Sequence, residues 1–281
     1  MHSTEALMLL LFFASMAAGM LGALVGLGGG VLIVPLLTIG FNLDFRLAIG
    51  ASIVCVIATS SGAGAALLRD RMTNFRIGTF LEVATTVGAI SGALIAPHLP
   101  VRALSIMFGL ILLGSIIPTL KKGASETVLP AVDDALAARL KLGSAYPDRL
   151  LGRDVTYHVT GSWLGLGLMY IAGVVSGLLG IGSGALKVLA MDSAMRLPIK
   201  VSTATSNYMI GVTAAASAGI YFWRGDVLPL VAAPVALGVL CGALIGAHFL
   251  IRFRGSTIRM IFLVALSLVA VQMLLRGLGV L

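Results

Sequence analysis

The chain has 281 residues, 59% of them hydrophobic and only 11% charged, with a mean hydropathy of +1.08, whereas a soluble domain carries about 25% charged residues. This excludes a water-soluble globule. The formal charge of +8 arises from 19 Lys and Arg against 11 Asp and Glu, but the basic residues are scattered over short loops without interleaved aromatics, so nucleic acid is not the partner they imply; in a lipid bilayer such residues report orientation.

In chain order, apolar runs suited to the ~20 residues that a bilayer core demands lie at 6–25, 47–68, 77–96, 103–117, 159–179, 201–223, 227–249 and 257–275, with shorter pieces at 30–39 and 184–191. The first run lacks a basic segment before it and has a counterpart ending near Leu179, so it reads as a retained span and not a cleaved leader. Behind it stands GLGGG from Gly26, and GIGSG from Gly180 answers it. With Gly26 on Gly180, the same offset brings Gly28 onto Gly182, Gly30 onto Gly184, Val34 onto Val188 and Ser52 onto Ser206. Further on, GAISGALIAPH from Gly88 matches GVLCGALIGAH from Gly238. The chain is read as a duplicated unit: 1–118 a first membrane repeat, 119–158 a charged cytoplasmic linker and 159–281 a second membrane repeat. Within the linker, Pro130 is placed in the first turn of a short helix over 130–142, with Val132, Leu136 and Leu140 turned to the membrane surface or a bundle end.

The fold class expected is an all-α integral membrane protein of two repeats, each with about four full spans and a short broken helix after its glycine run. Loop charge decides their relation. If the short pieces complete a crossing, the repeats are inverted, and 14 loop Lys and Arg gather on one side against Arg46, Arg102, Arg224 and Arg276 on the other; without that crossing the bias is shallower. The steeper bias favours inversion. Crossings built on such short helices must be finished by extended backbone, at 40–45 and 192–198, which is tolerated only where it is buried in protein or lines a cavity.

Internally repeated carriers place substrate at such breaks. Glycine permits close backbone approach, and a helix starting behind it offers unpaired N–H groups and a positive dipole end to an anion. Gly28, Gly29, Gly30, Gly182, Ser183 and Gly184 are therefore candidate binding positions, and Lys187 the strongest, being the one lysine inside an apolar run. The alternative for Lys187 is snorkelling to the interface or pairing with a carboxylate not identified from the sequence. Ser52, Thr205, Ser206 and Asn207 add hydroxyls and an amide, although small polar residues also serve helix packing. Glu82, His98 and His248 are candidates for proton coupling; ordinary interface and helix-end roles compete.

Cys55 and Cys241 do not correspond between the repeats and read as packing residues, so neither a disulfide, a metal nor any other cofactor is expected. An enzyme is disfavoured: there is no HExxH, no GxSxG and no phosphate loop, and GLGGG neither completes the dinucleotide fingerprint nor follows a strand.

The runs GLGGGVLIVP and GIGSGALKV, and above all KVSTATSNYMIGVTAAASAGIYFWRGDV, resemble the TauE/SafE family of sulfite and organosulfonate exporters, also called probable membrane transporter proteins. The resemblance covers nearly the whole chain; Ser183 and Leu189 stand where many relatives have glycine and proline. It implies a multi-pass protein of the cell membrane that exports a small sulfur oxyanion, sulfite first, with the lipid bilayer and the anion as partners, a homo-oligomer being compatible. Another small anion is the alternative substrate, and a non-transporting receptor the alternative class.

Overall fold

The computed structural model describes residues 2–25, 30–69, 73–121, 132–148, 153–250 and 255–279. Its elements are α1 (His2–Val25), α2 (Gly30–Pro35) running into a π turn (Leu36–Gly40), α3 (Phe45–Arg69), α4 (Phe75–Ile95) with a 3-10 turn (Ala96–His98), and α5 (Val101–Lys121). After a central segment holding α6 (Ala135–Leu140), β1 (Ser144–Asp148) and β2 (Arg153–Tyr157) come α7 (Ser162–Leu179) and α8 (Gly184–Leu189) with its π turn (Ala190–Ala194). The chain closes with α9 (Ile199–Trp223), α10 (Pro229–Leu250) and α11 (Gly255–Leu278).

The same series of elements stands on each side of the central segment, and the irregular residues match as well. Each short helix widens into a π turn, then unwinds over 41–44 in one case and 195–198 in the other. Asn42 and Arg196 take positive φ, 50° and 54°, at equivalent places. The returning chain is tied alike, Leu43 N–H to Leu37 O and Leu197 N–H to Met191 O, both at 3.0 Å. Read from sequence, the second unwound stretch began at 192; helical hydrogen bonding persists to Ala194 because the π turn absorbs an extra residue.

Helices pair across the two halves, α1 along α10 and α4 along α7. Glycine makes both seams close: a Cβ on Gly242 would stand 1.9 Å from the Met16 carbonyl oxygen, and one on Gly177 2.0 Å from that of Ala89. Such small-residue crossings suit membranes, where backbone approach and van der Waals contact replace the hydrophobic effect between helices. α3 crosses α9 at the centre, around a core that includes Ile49, Ile53, Val56, Ile210 and Tyr221. Large apolar side chains also cover the outside, among them Leu10, Phe13, Val83, Leu164, Ile171, Leu237 and Leu268, as expected of helices that meet lipid.

Among the described residues two helical stretches are long and apolar enough to cross a membrane, Phe75–His98 and Ser162–Leu179, with mean hydropathy 1.5 and 1.7. Shorter apolar stretches stand at Glu5–Leu21, Phe45–Ser61, Val101–Gly114, Pro229–Ile245 and Ser267–Leu278. α9, also read as a span, is long enough at 25 residues but not apolar enough, because its hydroxyl and amide side chains lower its hydropathy.

The central segment corrects two expectations. The protein is mainly helical but not wholly so: β1 and β2 form an antiparallel hairpin with Ser144 opposite Tyr157 and Tyr146 opposite Val155. The short helix begins at Ala135 and not in a turn that includes Pro130, because Asp134 supplies its N-cap, accepting the Ala137 N–H at 2.7 Å. Pro130 lies outside the described residues. Val132 and Leu140 are exposed and do not pack on the bundle end, where Ala137, Leu142, Tyr146, Tyr157 and Val159 are buried with Ile77, Met169, Met195 and Val201 at one end of α4, α7 and α9.

Asp134 joins this segment to the bundle, because its Oδ2 accepts the Ser162 N–H at 2.8 Å and its Oδ1 the Ser162 hydroxyl at 3.0 Å at the start of α7. Partial burial works to raise its pKa, but the hydrogen bonds from Ser162, Ala137 and Leu136 outweigh it and hold the carboxyl below the usual carboxylate range. The stabilisation is therefore complete at neutral pH and is lost as pH falls through the depressed value of the folded state. Asp134→Ala removes two caps at once and should weaken docking by about 1–2 kcal/mol. Amide-exchange protection of α6 and the hairpin checks both points: it should fall in the variant at neutral pH and decline in acid only in the parent protein.

Candidate functional site

α8 starts behind a sharp break. Gly180, Gly182 and Ser183 have φ of 65°, 71° and 45°, which turns the chain out of α7 and into α8 within a few residues. Positive φ is free for glycine and costs other residues about 1–2 kcal/mol, so Ser183 holds a position that glycine would occupy without strain. Its hydroxyl is buried with no hydrogen-bond partner among the described residues.

Ser52 ties the two breaks together. Its hydroxyl lies 3.0 Å from the Gly30 carbonyl oxygen and 2.9 Å from that of Gly180; the Ser206 hydroxyl, its equivalent on α9, donates to Gly184 O at 3.2 Å. One hydroxyl carries one proton, so in this state Ser52 and Ser206 hold the backbone of the breaks and do not aim donors at a ligand.

Three residues beyond Gly184, roughly 4.5 Å along the axis, Lys187 is fully buried. Its ammonium donates to Thr213 Oγ1 in the middle of α9. The Thr213 oxygen stands 2.6 Å from Glu82 Oε1 on α4 and 2.8 Å from the Met209 carbonyl oxygen. Glu82 is only 7% exposed, accepts from Thr86 Oγ1 at 3.2 Å, and has its second oxygen, Oε2, buried without a hydrogen-bond partner among the described residues. The carboxylate that the sequence left unidentified is thus Glu82, reached through a hydroxyl, and Glu82 is an interior residue despite its closeness to Arg76 along α4.

Among the described residues the charged cluster exists once. At the places equivalent to Lys187, Thr213 and Glu82 stand Ile33, Thr59 and Ala232, all buried, and the Thr59 hydroxyl donates to Cys55 O at 2.9 Å. Packing alone is served there by an uncharged set, so the frame does not require the lysine and the glutamate. Burying an ion pair costs several kcal/mol per ion before mutual attraction offsets it, and ionisable groups at membrane depth are functional by default. An ammonium has three donors, of which Thr213 Oγ1 takes one.

The other candidates divide. Gly30, Gly182 and Gly184 lie at the breaks, while Gly28 and Gly29 fall outside the described residues. Thr205 is turned away from Lys187: it accepts the Asn74 N–H at 3.1 Å where α4 begins. Asn74 caps α4 through Ile77 N–H and also donates to Leu142 O and the Tyr157 hydroxyl, at 2.9 and 2.8 Å, so it links α4, α9 and the central segment. Asn207 is half-buried beside it on α9. His98 closes the far end of α4, sixteen residues from Glu82 and roughly 24 Å along the axis. The side chain of His248 lies outside the described residues. The sequence reading missed Asn74 and Asp134 as tethers and Thr213 as the bridge; Thr213 stood in the polar run of α9, whose period marks its inner face only once the partner helix is known.

Residues 11–273 match the family model described as Sulfite exporter TauE/SafE. The chain is similar to the probable membrane transporter protein YunE of Bacillus subtilis (strain 168), 26% identical over 95% of this chain and 97% of that one. It is also similar to the probable membrane transporter protein YdhB of the same organism, 25% identical over 86% and 89% of the two chains. No solved structure matches it significantly.

Proposed function

We propose, for a chain that belongs to the sulfite exporter TauE/SafE family of membrane transporters, a specific activity: export of a small sulfur oxyanion, sulfite or an organosulfonate, across the cell membrane, with Lys187 as its charge partner. The observation that carries this reading is the fully buried Lys187 ammonium, placed one turn behind the second glycine break and held by Thr213. The anion approaches between the breaks, where Gly30 and Gly182 bring the backbone close against Val56 and Ile210 with no side chain of their own, and Ser183 adds a buried hydroxyl. Counterflow of labelled sulfite in vesicles holding the purified protein is the test. Exchange that sulfite and sulfonates support better than phosphate or carboxylates is expected, and no exchange with any anion would falsify the assignment.

The membrane arrangement that goes with it is two inverted repeats, 1–118 and 159–281, each with about four full spans and a broken helix. The loop charge asymmetry and the equivalent irregular turns support this reading. Both termini then lie outside and the segment 119–158 in the cytoplasm. A reporter fused after Leu281 and an impermeant thiol probe at a cysteine replacing the exposed Ala145 should report opposite sides; both in the cytoplasm would indicate parallel repeats.

A further inference from the structure

The Lys187–Thr213–Glu82 cluster is neutral as it stands, and that neutrality bears on what can be moved through it. An anion arriving beside Lys187 while Glu82 is ionised leaves the buried cluster with one net negative charge, a costly state in a medium of low dielectric. A proton delivered to Glu82 with the anion restores neutrality. The hydrogen-bond geometry provides for both states. Thr213 has a single hydroxyl proton and two acceptors in reach, Glu82 Oε1 at 2.6 Å and Met209 O at 2.8 Å. With Glu82 ionised, the hydroxyl donates to the carboxylate. With Glu82 protonated, the new carboxyl O–H donates to Thr213 Oγ1 and the hydroxyl turns to Met209 O, so every proton keeps an acceptor. In that second state the Lys187 ammonium no longer faces a carboxylate charge, and its attraction is available to the substrate.

The surroundings leave Glu82 to Lys187. α7, packed along α4, carries no charged residue, and its Tyr170 is exposed. On α9 the one charged residue is Lys200, thirteen residues before Thr213 and so about 20 Å away along the axis. Tyr208 packs on the Phe75 ring at the start of α4, and Arg76 donates to the Lys141 carbonyl. Asp192 stands in the π turn beyond α8, and the Tyr157 phenol of the central segment is bonded to Asn74.

We propose that Glu82 is the proton-binding group of this transporter and that Thr213 is its switch, so that one proton accompanies each monovalent anion; this rests on the assignment of Lys187 as the anion site. The proton is taken from water on one side as the carboxyl O–H bond forms and is returned to water on the other as that bond breaks, with no other group oxidised, reduced or transferred.

The test uses the full-length protein in sealed vesicles with the membrane potential clamped at zero. Sulfite titrates near neutrality itself, so methanesulfonate, a strong-acid anion, is the probe for the gradient arm, and sulfite counterflow at equal pH is run beside it. An imposed pH difference should drive the sulfonate to accumulate about tenfold per unit, with internal dye reporting one proton per anion. In Glu82→Gln, whatever flux remains should no longer follow the gradient. In Thr213→Val, gradient-driven accumulation should fall more than exchange at equal pH. Net sulfonate flux in the parent protein without proton movement overturns the coupling and leaves the anion site standing. Absence of exchange with every anion removes both. Proton counting on the parent protein decides the matter even where the variants fail to insert.

Discussion

Lys187→Met should lower the affinity for sulfite at least tenfold, about 1.4 kcal/mol, in equilibrium binding of labelled sulfite to the purified protein. Methionine keeps the length and apolar stem of the lysine and removes only the charge. Truncating one partner of a buried charged contact typically costs about 2–5 kcal/mol, so tenfold is the lower bound. The variant also strands Glu82, because the carboxylate then faces Thr213 with no ammonium behind it, and part of any loss could come from a damaged fold. Lys187→Met with Glu82→Gln separates the two effects. The double variant removes the uncompensated charge, so it should regain thermal stability in detergent while anion affinity stays low. Arginine at 187 should rescue in part, since its planar fork places donors differently from a compact ammonium. Affinity unchanged in a correctly inserted Lys187→Met protein sinks the anion site.

What the sequence disclosed and what it withheld follow from how far each signal reaches. The glycine breaks were legible because positive φ is a local demand, met at Gly180 and Gly182 by the residue type itself. Lys187 was legible because a cation inside an apolar run is anomalous wherever it points. Its partner was not, since Glu82 belongs to α4, more than a hundred residues earlier, and only the packing of α4 beside α9 brings the two to one hydroxyl. Ser52 and Ser206 were recognised as equivalent, but not the use of their hydroxyls, which turns on the position of the Gly30, Gly180 and Gly184 carbonyl oxygens. In the central segment Pro130 suggested a helix start, yet an oxygen side chain that can accept N–H groups sets the boundary, and Asp134 supplies it. The hairpin was not read from the sequence; it is held by Tyr146 and Tyr157, whose burial against α4 and α9 is a tertiary fact.

Gly182→Val should abolish most anion flux in vesicles while the protein still reaches the membrane at normal levels. Two independent terms act at this position. φ of 71° lies in the left-handed region, where a β-branched residue is a genuine outlier. A Cβ there would also stand 2.8 Å from Ile210 Cγ2 and 3.0 Å from Val56 Cγ1, on the two helices that cross at the centre. Backbone strain alone is worth about 1–2 kcal/mol, and relieving the contacts requires α3 and α9 to part or the break to straighten, either of which displaces Ser183, Gly184 and then Lys187. The seams α1 with α10 and α4 with α7 are not touched, so insertion should survive. Gly219→Val is the control on the same pair of crossing helices: Gly219 has nothing within 4 Å and no positive φ, so its flux should stay near that of the parent protein. Gly182→Ala should fall between them, since it keeps the φ strain but adds one methyl only. If Gly182→Val carries anion as fast as Gly219→Val at matched membrane levels, the second break is a spacer between helices, and the path for the anion must be sought elsewhere along α9.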